Sequence, residues 1–126
     1  MGSEEASLGL TFIRATVANP ANPKRSAKLR FLVDSGALYS VVPAGTLLRL
    51  GIKPHSTRTF TLADGTEIER KMGDASFAFD GVRGASPVIF GEKGDSTLLG
   101  TVSLESLGLS LDPIRRVLRP LPMVLG

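Results

Sequence analysis

Hydrophobic residues in this chain recur mostly at every second position. Leu29, Phe31 and Val33 alternate with Lys28, Arg30 and Leu32, the period of a strand with one buried face. That strand runs into Asp34-Ser35-Gly36, and a short strand at Tyr39 to Val42 follows, ending at Pro43. Upstream, Leu8 to Ala18 reads as another strand with Leu8, Leu10 and Phe12 on one face. The apolar phase then passes to Ile13, Ala15 and Val17, which predicts a bulge or a strand buried on both sides. Asn19-Pro20-Ala21-Asn22-Pro23 breaks it and predicts a surface loop.

From Pro43 the period changes. Pro43 to Gly51 predicts a short helix, with proline in the first turn and glycine as the stop. Alternation returns at Arg58 to Ala63, and Asp64-Gly65 predicts a two-residue hairpin turn into Thr66 to Glu69. A second strand pair is predicted at Asp74 to Phe79 and Ala85 to Phe90, joined through Asp80-Gly81 and Gly84. An exposed loop over Gly91 to Ser96 precedes Thr97-Leu98-Leu99-Gly100 and a short helix, Ser103 to Leu107, stopped by Gly108. The last strand region spans Leu109 to Leu118 with Asp112-Pro113 as a turn inside it. Pro120 and Pro122 suit the tail poorly to a central strand. Many short strands with two short helices predict an all-β barrel or sandwich.

Composition narrows this. A chain of 126 residues is enough for one ordinary domain, expected over residues 1–126 with a core at about 8–118. Its hydrophobic content of 42% fits a folded globule instead of a disordered segment. No apolar run reaches the length of a membrane span, and the first residues lack the basic and apolar regions of a signal peptide. The expected location is therefore cytoplasmic by default. With no cysteine and one histidine, thiolate and zinc sites are not expected; with no P-loop and no Gly-x-Gly-x-x-Gly, neither is a nucleotide cofactor. The net charge of +3 is modest. Its clusters, Lys24, Arg25, Lys28 and Arg30, and Arg115, Arg116 and Arg119, are not interleaved with stacking aromatics. They read as solvated faces and not as a nucleic-acid surface.

Candidate chemistry centres on Asp34. A carboxylate at the end of an apolar strand sits on rigid backbone, and Gly36 lets the chain turn sharply beside it. An internal echo strengthens the signal. Asp34-Ser35-Gly36 leads to Leu47-Leu48-Arg49-Leu50-Gly51-Ile52, and Leu98-Leu99-Gly100 leads to Leu104-Glu105-Ser106-Leu107-Gly108-Leu109. Apolar strand, glycine and a helix of little more than one turn thus appear twice.

Phe31 through Pro43, taken with Leu98-Leu99-Gly100, resembles the retropepsin-like (retroviral-type) aspartic proteases. Subunits of that family carry an approximate internal repeat, with Asp-[Thr/Ser]-Gly in the first half and two aliphatics plus glycine in the second. The resemblance covers roughly Leu29 to Asp112. Ser35 stands where threonine is commoner and keeps the hydroxyl. The tip at Ala63-Asp64-Gly65-Thr66 falls where the family carries its flap, but Asp64 stands where viral members carry mostly glycines and aliphatics. Residues beyond Asp112 have no clear counterpart.

The resemblance implies an acid-protease barrel with a flap hairpin, acting as a homodimer on a peptide or protein substrate without metal or cofactor. It implies catalytic roles for Asp34, Ser35 and Gly36, and substrate contacts for Ala37, Leu62, Ala63, Asp64, Gly65 and Leu99. Hydrolysis by this route needs two carboxylates sharing one proton around a water. Asp64, Asp74, Asp80 and Asp112 sit at turns or strand ends without the following hydroxyl and glycine, and Asp95-Ser96-Thr97 lacks the glycine. One chain therefore holds half a site, and a two-fold axis would supply a second Asp34. The alternative is a catalytically silent dimeric barrel that binds extended peptides by strand addition. His55, in a loop by composition, has no nucleophile-elbow serine to serve.

Overall fold

The computed structural model describes residues 4–7 and 10–122, the first four as backbone alone. The strands are β1 (Glu4–Ser7), β2 (Leu10–Asn19), β3 (Asn22–Val33), β4 (Ser40–Pro43), β5 (Ser56–Thr61), β6 (Glu67–Phe79), β7 (Val82–Gly91), β8 (Leu98–Leu99), β9 (Leu109–Asp112) and β10 (Val117–Pro120). Two six-residue helices, α1 (Ala44–Arg49) and α2 (Thr101–Ser106), interrupt them. Eight strands share one sheet in the order β1-β2-β3-β8-β4-β7-β6-β5, and β2 also pairs with β6. The strands β2, β3, β8, β4, β7 and β6 therefore close into a ring. β9 and β10 form a separate antiparallel pair. The fold is all-β, as the alternation predicts.

The inward face of this ring is the core. Ile13, Ala15 and Val17 of β2 meet Phe31 and Val33 of β3, Phe77 of β6, Val88 of β7 and Leu99 of β8. The Phe31 and Phe77 rings pack edge to face, 6.0 Å between centroids. Each helix seals an opening with two leucines: Leu47 and Leu50 at α1, Leu104 and Leu107 at α2. Both helices then stop on a glycine in the left-handed region, Gly51 (φ 80°) and Gly108 (φ 72°), so the repeat seen in the sequence is also a repeat of structure. Among the described residues no helix is long and apolar enough to cross a membrane.

Four expectations differ from the observed elements. Thr11, Ile13, Ala15 and Val17 form a single buried face of β2, with Phe12 half-buried and Leu10 exposed. The register shift lies later, between Ala18 and Asn19. Leu8 is outside the described residues. The stretch from Asn19 to Pro23 is a tight turn of only Pro20 and Ala21, because the Asn19 Oδ1 accepts the Ala21 N–H and Asn22 already belongs to β3. Thr66 to Glu69 and Asp74 to Phe79 are not two strands. Paired to β5 at one end and β7 at the other, they are parts of the 13-residue β6. The hairpin turn after β5 has three residues, Ala63, Asp64 and Gly65, not two. The Gly65 N–H donates to the Leu62 carbonyl and the Leu62 N–H to that of Thr66. Gly65, at φ 87°, takes the left-handed position that closes such a turn.

Candidate active site

Asp34 follows the last residue of β3, a strand fixed on both sides by β2 and β8. Its N–H donates to the Leu99 carbonyl at 3.1 Å, and its own carbonyl accepts the Ala37 N–H at 3.1 Å, which folds the chain into a tight loop. The carboxylate Oδ1 accepts the Gly36 N–H at 2.9 Å, and a Cβ on Gly36 would stand 3.2 Å from that oxygen. The side chain is half-buried, while Ser35 and Gly36 are exposed.

The second half of the internal repeat holds this loop in place. The first two N–H groups of α2, from Thr101 and Val102, have no carbonyl inside a short helix. They donate instead to Ala37 and Leu38, at 2.9 and 3.0 Å. The Gly100 N–H donates to Ser40 Oγ at 2.9 Å. Ser40 and Ser86 in turn share Ser103 Oγ, at 2.5 and 2.7 Å, all three buried. Three hydroxyls thus satisfy one another between β4, β7 and α2, where an unpaired one would be destabilising. None of the three serines carries a signal in sequence beyond being a small polar residue near an element end.

Above Asp34 lies a groove of about 750 Å³, a volume suited to a small ligand or a few peptide side chains. Gly36, Ala37, Leu38 and Tyr39 line it from the Asp34 loop. Phe60 to Ala63, Ile68 and Arg70 line it from the β5–β6 hairpin, and Leu32, Val41, Ile89 and Leu98 supply an apolar wall. Polar ties fasten the hairpin to the rest. Arg58 Nη1 donates to the Tyr39 hydroxyl at 2.7 Å. Arg70 forks onto Asp95, Nε to Oδ2 at 2.8 Å and Nη2 to Oδ1 at 3.0 Å. Register explains why both arginines need partners. Arg58 stands directly opposite Arg70 across β5 and β6, and like charges in that position repel.

The guanidinium of Arg70 holds the Asp95 carboxyl below the usual carboxylate range, and Asp95 pushes Arg70 up. A carboxyl lowered in the folded state stabilises the fold fully above its unfolded value, near pH 4, and that contribution fades as pH falls further. Asp95→Asn is therefore expected to lose about 1–2 kcal/mol at neutral pH, between the exposed-pair and buried-pair ranges. The loss should shrink when urea titrations are repeated below pH 4. An equal loss at pH 7 and pH 3 would show that the charge is not what ties the hairpin.

Of the residues singled out in sequence, Asp34, Gly36, Ala37, Leu62 and Ala63 come together around the groove. Ser35 borders a separate depression with Thr101, Leu104, Glu105, Leu109, Ser110, Leu111 and Leu121. Asp64 and Gly65 stand at the exposed hairpin tip and do not line the groove in this structure. Leu99 does not line it either. It is fully buried in the core, and strand parity puts its neighbour Leu98 on the groove side. Sequence reasoning missed Tyr39, Arg58, Arg70 and Asp95. His55 lies outside the groove, on the surface, with Nε2 3.4 Å from Asp74 Oδ2.

Comparison with known proteins agrees with this geometry. The family model for aspartyl proteases matches residues 13–102, more than half of the chain, and spans the Asp34 loop and Leu98-Leu99-Gly100. The crystal structure of a retropepsin-like aspartic protease from Rickettsia conorii is similar, with a TM-score of 0.50 and 26% identity. The likeness covers 90% of this chain and 92% of that one. No curated protein matches the chain. An extended family match on a retropepsin-like barrel places this chain in the retropepsin-like aspartyl protease family.

Proposed function

We propose that the chain, one domain over residues 1–126, is a homodimeric aspartic endopeptidase whose two Asp34 carboxylates, one from each subunit, activate a water. One observation carries the reading. Among the described residues, Asp34 and Asp95 are the two acids lining the groove, and Asp95 is forked by Arg70. Asp34 is then the carboxylate left to the chemistry, which supports a second one supplied by another copy. In the reacting state one Asp34 is ionised and its mate holds a proton. The ionised group takes a proton from the water as its oxygen bonds to the peptide carbonyl carbon, and the mate protonates the carbonyl oxygen. Collapse of the tetrahedral intermediate breaks the C–N bond, with a proton passing to the leaving nitrogen.

Several features support a two-fold partner. Ser35 is exposed beside Asp34, where a hydroxyl would reach the loop of the facing copy. The adjoining depression is lined by Leu104, Leu109, Leu111 and Leu121. Ile114, in the β9–β10 turn, is a large apolar side chain left 90% exposed. Such a hairpin suits an isologous contact. Within each subunit Gly36 would permit the close approach at Asp34, and Ala37, Leu62, Ala63, Asp64 and Gly65 would meet an extended peptide when the hairpin closes.

Incubation with a peptide library from acid to neutral pH, with and without a pepstatin-like inhibitor, tests the reading. Cleavage should be inhibited, and should decline toward alkaline pH as the shared proton is lost. A rate still rising above pH 7 would point to another mechanism. A strict monomer in sedimentation with full activity would refute the shared site. Peptide binding without cleavage would favour a silent binding module.

A further inference from the structure

Arg14, Lys28, Arg30 and Arg83 are brought onto one face of the barrel wall by strand register. Arg14 stands opposite Arg30, and Thr16 opposite Lys28, across β2 and β3. Thr16 also stands opposite Ala78 of β6, which in turn faces Arg83 of β7. Residues directly opposite in antiparallel pairs share a face, so the four cations surround a floor of Thr16 and Ala78. All four are exposed. Strand spacing puts Lys28 and Arg83 about 14 Å apart, with Arg14 and Arg30 a further pleat, about 7 Å, along. A shallow depression between them is lined by Arg14, Thr16, Lys28, Ala78, Phe79, Asp80 and Gly81.

Strand register makes this arrangement costly to the fold. Arginine directly opposite arginine is destabilising, and no ion pair among the described residues answers Arg14, Lys28 or Arg83. Two acids border the patch by position, Asp80 at the β6–β7 turn and Glu5 opposite Phe12 in β1. Four cations against two acids leave it positive. The patch also adjoins the groove. Leu32, two residues beyond Arg30 on the same face of β3, is part of the groove wall. A chain leaving that wall in extended form, at about 3.3 Å per residue, reaches Arg30 and Arg14 in about two residues and Lys28 in about four.

We propose that this face is an exosite for an acidic segment of a protein substrate, lying some two to six residues from the side chain held at Leu32. The charge of the patch selects an anionic partner. Its aromatics select a peptide over a nucleic acid: the Phe12 ring is covered by the Arg30 guanidinium at 3.7 Å, and Phe79 is buried, so bases find no stacking platform. The consequence for cleavage rests on the peptidase reading, whereas the binding itself does not.

The test uses the full chain carrying Asp34→Asn, with fluorescein-labelled hexaglutamate as probe and anisotropy as readout. Hexaglutamate should bind, more weakly as salt rises, and at least about tenfold better than hexalysine. The double variant Arg14→Glu/Lys28→Glu should lose about tenfold in affinity, and Arg83→Glu, on a different strand, about threefold. Should the double variant fail to fold, Arg83→Glu decides. Equal binding of hexaglutamate and hexalysine, unchanged affinity in the folded variants, or tighter binding of hexauridylate than of hexaglutamate would each overturn the proposal. In a second arm, the chain with Asp34 intact cleaves two peptides sharing one core, one with an acidic tail. The tail should lower KM about tenfold at unchanged kcat, and Arg14→Glu/Lys28→Glu should abolish that advantage while cutting the tail-less peptide normally. If neither peptide is cut, the peptidase reading fails and the anisotropy still decides the surface.

Discussion

Asp34→Asn is expected to lower peptide hydrolysis by at least about 10³-fold while leaving the fold and the dimer intact. Asparagine keeps the shape of the side chain, and its Oδ1 can still accept the Gly36 N–H that the carboxylate accepts at 2.9 Å. It cannot take a proton from water. Mixed subunits make the sharper test. If Asp34→Asn and unsubstituted subunits exchange freely in equal amounts, random pairing leaves about a quarter of dimers with two carboxylates. Activity should fall to about a quarter of that of unsubstituted dimers at the same total subunit concentration. A site complete within one chain would keep about half, because each unsubstituted subunit would work alone. Half after proven exchange would refute the shared pair even with Asp34 essential.

Gly100→Ala is expected to destabilise the protein by about 2–3 kcal/mol and to reduce cleavage beyond what the lost folded population explains. A Cβ on Gly100 would lie 2.7 Å from the Tyr39 carbonyl carbon and oxygen and 2.8 Å from the Leu38 oxygen. These are backbone atoms of the loop that carries Asp34, and they cannot swing aside as a side chain can. The methyl group must push that loop away from the 97–102 segment, stretching the bonds from Thr101 and Val102. Gly81→Ala, outside the groove, is the control. A Cβ there meets nothing within 4 Å, and only its φ of 83° is strained, a cost of about 1–2 kcal/mol without displacement of the loop. Comparable urea midpoints and comparable cleavage in the two variants would show that the crossing is not rigid.

Much of this architecture is legible in the sequence because local signals agree with the global fold. Phe31 and Val33 alternate as a half-buried strand should, Gly51 and Gly108 end their helices, and the Leu-x-x-Leu-Gly echo corresponds to two equivalent helices. Asp34 is conspicuous because a strand, an acid, a hydroxyl and a glycine occur in immediate succession. What escaped depends on contacts distant in sequence. Residues 70–73 fall between two predicted strands, yet β6 runs through them, with the Phe90 ring beside Gly73 where a Cβ would lie 2.8 Å from it. Arg70 and Asp95 are 25 residues apart, and nothing local links them. The exchange of Leu98 for Leu99 at the groove follows from a one-residue change of phase, which in a two-residue strand reverses inside and outside.

The bond between Ser40 and Ser103 spans 63 residues of chain, and the carbonyls of Ala37 and Leu38 wait equally long for Thr101 and Val102. During synthesis, β3 and the Asp34 loop leave the ribosome well before the segment that holds them. At about 5–20 residues per second, that interval lasts roughly 3–13 seconds. Topologies dominated by such distant pairings also fold slowly. Throughout that time Asp34 sits on a loop that lacks those bonds. A nascent or truncated chain ending before α2 therefore lacks the setting on which hydrolysis would depend, and delay is built into the order in which the strands are connected.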